Sequence, residues 1–194
     1  MGRLVAVLLL LLPATALADI TGTASVIDGD TIEIHGQRIR FHGIDAPESR
    51  QTCRADGVRW RCGQIAALAL ADFIGRSPVR CEEQGVDRYG RVIAACSVRG
   101  EDIEAWMARG GWALAYRRYS RDYISQEHVA QAAHAGIWRG EFVPPWDWRR
   151  GKRLQAATVP ESASGCLIKG NINNKGERIY HAPGGKWYDR TKVA

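Results

Sequence analysis

The segments Val79–Val86 (VRCEEQGV) and Arg91–Val98 (RVIAACSV) each carry a cysteine, and together they constrain the fold more than any other feature. If they form a hairpin that turns at Arg88-Tyr89, residues whose numbers sum to 177 face each other, and Cys81 and Cys96 meet that condition. Directly opposed antiparallel residues lie within disulfide reach. The chain therefore needs a two-stranded antiparallel core element that a covalent bond can lock.

The remaining pattern builds around that hairpin. Thr21 to Ile27 reads as a strand, Thr31 to His35 alternates cleanly, and Arg38 to Phe41 follows the His35-Gly36-Gln37 turn. Gly63 to Ile74 is alanine-rich with helical apolar spacing and stops before Gly75 and Pro78. Glu101 to Arg109 predicts a short helix with acidic residues in its first turn, ended by Gly110-Gly111. Ser120 is expected to cap a last helix that runs to about Ala135, closed by Gly136. Three strands, a helix, two strands and two helices suit an α+β fold: a five-stranded Greek-key β-barrel of the OB type with about three packed α-helices. Trp106 and Trp112 sit beside helical apolar positions and read as packing residues, as do most other tryptophans.

The N-terminus, MGRLVAVLLLLLPATALA, has Arg3, an apolar run from Leu4 to Leu12 and Ala-Leu-Ala before Asp19. That pattern predicts a signal peptide over residues 1–18 and a secreted or periplasmic protein, with no membrane association after cleavage. The run is too short to span a bilayer. Export makes disulfides the default for the five cysteines. Cys53 and Cys62 then close a polar loop containing Asp56-Gly57, and Cys166 is left as a free thiol or an intermolecular link. No pair has zinc-ligand spacing.

The net charge of +6 is unevenly placed. Asp19 to Arg150 carries 18 Lys/Arg and 18 Asp/Glu, whereas residues from Gly151 onward carry 8 basic and 3 acidic groups. The tail is thus either a solvated terminus or a non-specific anchor for nucleic acid or an anionic surface. Its turn-rich composition divides it into a linker, 151–165, and a small basic appendage, 166–194, after the domain at 19–150.

Chemistry concentrates in Val26–Ser49, VIDGDTIEIHGQRIRFHGIDAPES. Asp30 follows the Asp28-Gly29 turn, and Asp45 and Glu48 flank Pro47, which holds the chain out of helix. Two carboxylates suit a hard, oxygen-preferring cation. A third suits a general base, and Arg40 offers a fork that matches a phosphate. Arg40 would share its sheet face with Arg38 and His42. Asp87-Arg88-Tyr89-Gly90-Arg91 mounts a second guanidinium at a strand start, with Arg88 and Tyr89 at the tip, where stacking or phosphate pairing is open to them.

VIDGDT, RFHGIDAPE and DRYGR, in that order, resemble the staphylococcal nuclease family, and GGWALAY and GIW resemble its helical half. The similarity covers about Thr21 to Trp148, and the disulfide-bearing loop after Glu48 is similar to an exported bacterial branch. The resemblance implies a Ca²⁺-dependent endonuclease that hydrolyses DNA and RNA, single strands preferred, as a monomer, with 5′ P–O cleavage leaving 3′-phosphate ends. It implies Asp30, Asp45 and the Ala46 carbonyl as Ca²⁺ ligands, Glu48 as general base, and Arg40 and Arg91 as stabilisers of the phosphoryl transition state. It further implies that Arg88, Tyr89 and Tyr116 bind the nucleotide and that Asp28 supports the metal loop. Ala46 stands where the family's founding member has Thr, a change to which a carbonyl ligand is indifferent. The spacing from Gly111 to Tyr116 is one residue shorter than the family's. The alternative is a non-catalytic binding module on the same fold. Such a module is expected to lack several of Asp30, Arg40, Asp45, Glu48 and Arg91, and this chain has all five.

Overall fold

The computed structural model describes residues 19–155, 169–172 and 178–181. The expected signal peptide, Cys166 and most of the expected linker and appendage lie outside the described residues. Two compact units are separated at Leu154/Gln155. In the second, β12 (Lys169–Ile172) and β13 (Arg178–His181) pair as an antiparallel ladder.

The first unit is a mixed sheet with helices, OB-fold-like in its connections. Its strands are β1 (Ile20–Gly22), β2 (Ala24–Asp28), β3 (Thr31–Ile34), β4 (Gln37–Phe41), β8 (Val79–Val86) and β9 (Val92–Val98), in the spatial order β1-β8-β9-β4-β3-β2. β1 and β2 are one chain segment broken at Thr23, so the path returns to its start and the sheet curls round on itself. The expected count of five strands treats that segment as one. The structure divides it because β1 pairs with β8 while β2 pairs with β3. A short β10 (Glu101–Asp102) adds to β9. All these pairings are antiparallel except β4 with β9.

Alternation explains the core. Ile32, Ile34, Ile39, Phe41, Val79, Cys81, Val92, Ala94, Cys96 and Val98 point inward and are buried. Leu70 and Ile74 of α1 (Cys62–Ile74) and Met107 of α2 (Ile103–Arg109) join them. Each large apolar side chain so placed contributes about 1.5–3 kcal/mol. Cys81 faces Cys96 and is bonded to it. The 177 register holds from Val79 to Glu83, then a bulge between Glu83 and Gly85 moves it on by one residue. The tip is therefore a three-residue loop, Arg88-Tyr89-Gly90, closed between Asp87 and Arg91 by Asp87 N–H donating to the Arg91 carbonyl at 2.9 Å. Trp106 is structural, stacked on Phe73 with ring centroids 4.1 Å apart.

The expected Cys53–Cys62 bond is present, and two other local expectations, both at helix starts, need correction. The Cys53–Cys62 loop, closed by its disulfide, contains a small hairpin of β6 (Cys53–Ala55) and β7 (Val58–Trp60) that turns at Asp56-Gly57. The second helix starts at Ile103, because Glu101 and Asp102 pair with β9 as β10 and Asp102 caps the helix, accepting from Ala105 N–H at 2.7 Å. Ser120 does not cap the next helix. Its hydroxyl accepts from Asp122 N–H in a local turn, and α3 spans only Ile124–Ala132. A 3₁₀ turn (Gly136–Arg139) and a fourth helix, α4 (Pro145–Arg149), follow, with prolines at the start of α4 where no intrahelical N–H is needed. The remaining pair is β5 (Ile44–Asp45) with β11 (Leu114–Ala115).

Candidate active site

The turn between β2 and β3 sets the first carboxylate. Asp28 Oδ1 accepts from Asp30 N–H at 3.0 Å, closing the turn and directing the Asp30 side chain inward. Gly29 permits the packing: a Cβ there would stand 2.7 Å from Ala46 Cβ. Burial, then the neighbouring Asp30 charge, pushes the Asp28 carboxyl up to about 6. Asp30 is buried, and its Oδ2 accepts from Ala46 N–H at 3.0 Å.

Arg40 joins that carboxylate to the next. Thr31 faces Arg40 across β3 and β4, which brings the guanidinium beside Asp30. Arg40 Nη1 donates to Asp30 Oδ1 at 2.8 Å and Nη2 donates to Asp45 Oδ1 at 2.7 Å. Asp45, on β5, is fully buried. Burial raises the Asp45 pKa, against Arg149 and Arg40, which oppose that rise.

Glu48 lies in a loop held from three sides. Gln51, itself fully buried, accepts from Glu48 N–H at 3.2 Å through Oε1 and donates through Nε2 to the Val143 carbonyl at 2.6 Å. Gln51 N–H donates to the Glu48 carbonyl at 2.6 Å. Below the loop, α1 begins at the disulfide-bonded Cys62, and Gly63 touches the loop backbone. A Cβ at Gly63 would sit 1.8 Å from the Glu48 carbonyl oxygen. The Glu48 side chain is 37% exposed and thus open to water.

A residue that sequence reasoning passed over completes the cluster. Arg149, the last residue of α4, donates from Nη2 to Asp45 Oδ2 at 2.6 Å and from Nη1 to Asp45 Oδ1 at 3.1 Å. Nη1 also donates to Glu48 Oε1 at 2.6 Å. Burial lowers the Arg149 pKa, but the bonds to Asp45 and Glu48 more than offset this and leave it raised. Three carboxylates thus meet two guanidiniums. No local signal marks Arg149: it lies 101 residues from Glu48, between Trp148 and Arg150 in a run that reads as packing.

The other expected residues lie apart. Arg91 shares the outer sheet face with Arg40, since Ile93 two residues on is the register partner of Arg40. Its guanidinium is held by Asp87, with Nη2 2.7 Å from Oδ2, rather than by the carboxylate cluster. Arg88 and Tyr89 form an exposed tip, Arg88 lying over the Tyr89 ring at 4.8 Å. Tyr116 stacks on Trp146 with centroids 5.6 Å apart, beside a cavity of about 300 Å³ lined also by Arg117, Arg118 and Arg150. His42 is 3.5 Å from Asp122 and outside the cluster.

Among the described residues, no three His, Cys, Asp or Glu side chains form a metal-ligating group. The donors available are the Asp30 and Asp45 carboxylates, with the Ala46 peptide fixed against Asp30. Ca²⁺ accepts six to eight oxygens, waters and carbonyls among them, in flexible geometry. Two hard carboxylates, a neighbouring carbonyl and water fit that requirement; a cation that prefers sulfur or imidazole finds no such donor here.

The family model for the staphylococcal nuclease homologue matches residues 38–140. The chain is 42% identical over 144 residues to the succinoglycan biosynthesis protein ExoI of Rhizobium meliloti, covering 72% of this chain and 75% of that protein. It is 32% identical over 167 residues to a micrococcal nuclease of Shigella flexneri, covering 76% and 91%. An uncharacterized endonuclease of Haemophilus influenzae is 31% identical over 151 residues, covering 72% and 80%. These matches, with the OB-like sheet of this chain, make it a nuclease hydrolase of the staphylococcal nuclease family.

Proposed function

We propose that the protein is an exported, Ca²⁺-dependent endonuclease that hydrolyses single-stranded DNA and RNA as a monomer. The observation that carries this reading is the Asp30–Arg40–Asp45 bridge, which brings two carboxylates suited to a hard cation and a guanidinium suited to a phosphate together. Two disulfides among the described residues accord with a protein that works outside the cytoplasm.

A phosphodiester repels anionic nucleophiles, so its charge must be offset before attack. The cation, when bound by Asp30, Asp45 and the Ala46 carbonyl, supplies part of that offset. Arg40 and Arg91 supply the rest by donating to the non-bridging oxygens, Arg91 exchanging Asp87 for phosphate. Water is a poor nucleophile at neutral pH, and Glu48, open to solvent, takes its proton as the new P–O bond forms. The P–O5′ bond then breaks and the leaving 5′ oxygen takes a proton from solvent, giving a 3′-phosphate and a 5′-hydroxyl, the polarity that the resemblance implies. Arg88, Tyr89 and Tyr116 hold the flanking phosphate and base by pairing and stacking.

Oxidised residues 19–194, incubated with single-stranded DNA and RNA in Ca²⁺ or in a Ca²⁺ chelator, test this reading. Cleavage only with Ca²⁺, with 3′-phosphate ends, is expected. Undiminished cleavage in chelator overturns the cation assignment, and 5′-phosphate ends overturn the polarity.

A further inference from the structure

Arg149 grips the oxygens that a cation would need. Its Nη2 stands 2.6 Å from Asp45 Oδ2, and its Nη1 reaches both Asp45 Oδ1 and Glu48 Oε1. A bound Ca²⁺ takes carboxylate oxygens at about 2.3–2.6 Å. A guanidinium nitrogen that close to the same oxygen competes with it for a lone-pair direction, and like charges so close repel strongly.

Arg40 and Arg149 are not equivalent here. Arg40 is 17% exposed and holds Asp45 through Oδ1 while bridging to Asp30. Arg149 is 39% exposed, comes from a five-residue helix, and faces solvent on one side. If Arg149 withdraws, Asp45 Oδ2 and Glu48 Oε1 lose their Arg149 bonds while Arg40 keeps the two aspartates aligned. The freed Oδ2 is a ligand position, and the freed Oε1 is a proton acceptor.

We propose that Arg149 is the internal counter-cation of this site: it holds Asp45 and Glu48 in the cation-free protein, and a divalent cation expels it. The exchange rests on the cation reading above. It holds the buried Asp45 and the half-exposed Glu48 in place while no metal is bound, at the expense of cation affinity.

Calorimetric Ca²⁺ titration of the wild type, Arg149→Gln and Arg149→Lys, with melting in chelator, tests the exchange. Arg149→Gln is expected to bind Ca²⁺ on the order of tenfold more tightly, to melt lower in chelator, and to gain more in melting temperature from Ca²⁺ than the wild type does. Arg149→Lys, which keeps the charge, is expected to stay near wild-type affinity. A wild-type measurement stands independently of variant folding: an arginine-specific dicarbonyl, mapped by mass spectrometry, should label Arg149 several-fold faster in Ca²⁺ than in chelator, with Arg153 as reference. If the wild type binds Ca²⁺ but Arg149→Gln binds no more tightly, or labelling is indifferent to Ca²⁺, the exchange is wrong and the cation reading stands. If no form binds Ca²⁺, both fall.

Discussion

Asp45 and Glu104 are both fully buried carboxyls, and their surroundings differ in kind. Around Asp45, Arg40 and Arg149 place three guanidinium N–H bonds on two oxygens. Glu104, on α2, accepts from Cys96 N–H at 3.0 and 3.1 Å and has Asp102 as a charged neighbour. Burial, reinforced by Asp102, pushes the Glu104 carboxyl well up. At Asp45 the same push is opposed by two cations. Burial alone favours the neutral acid; fixed counter-charges beside it favour the anion, which a metal cation can use.

The contrast breaks most sharply at Arg40. Arg40→Met leaves Asp30 and Asp45 without their shared cation, and a broken buried pair costs about 3–5 kcal/mol. Denaturant titration should register that loss, together with a fall in cleavage rate of about 10²–10³. Near wild-type stability would mean that Asp30 and Asp45 do not depend on Arg40. A smaller effect on rate is expected at Gln51, which touches no reacting atom. Gln51→Met strands the Glu48 N–H and the Val143 carbonyl, at about 1–3 kcal/mol each. Because it acts through the placement of Glu48, kcat should fall about tenfold with KM little changed. A change in KM alone would make Gln51 a substrate contact instead.

Glu104 sharpens the comparison from the other side. Its raised pKa stabilises the fold at pH below the unfolded value of about 4.5, and that stabilisation is lost as pH rises toward the folded pKa. Glu104→Gln keeps an acceptor for Cys96 N–H and cannot ionise. Stability measured in chelator at pH 5 and pH 8 should therefore favour the variant increasingly at the higher pH. An equal difference at both values would show Glu104 to be charged throughout. The smallest effect belongs to the exposed tip: Tyr89→Ala should raise KM for single strands by about tenfold, the worth of one stacked base, with folding unchanged.

Local pattern made much of this legible. The DGD turn and the DAPE segment sit between short strands whose alternation is plain, so Asp30, Arg40, Asp45 and Glu48 could be read as one group. The Cys81–Cys96 bond followed from register, since a period of two fixes which residues face each other. Arg149 and Gln51 were not legible, because each owes its role to partners about a hundred residues away, at Glu48 and Val143. Ser120 misled because a hydroxyl before a helical pattern bonds a local turn as readily as a helix start. The bulge near Gly85 moved the hairpin tip by one residue, a shift that alternation alone does not reveal.

The most direct measurement is single-turnover cleavage of single-stranded DNA in Ca²⁺ by the wild type and Glu48→Gln, both shown to be folded and disulfide-bonded. A rate reduced by about 10²–10³, with Ca²⁺ affinity retained, is the result expected of a general base beside an intact cation site. Equal rates would contradict it and move the proton acceptor elsewhere.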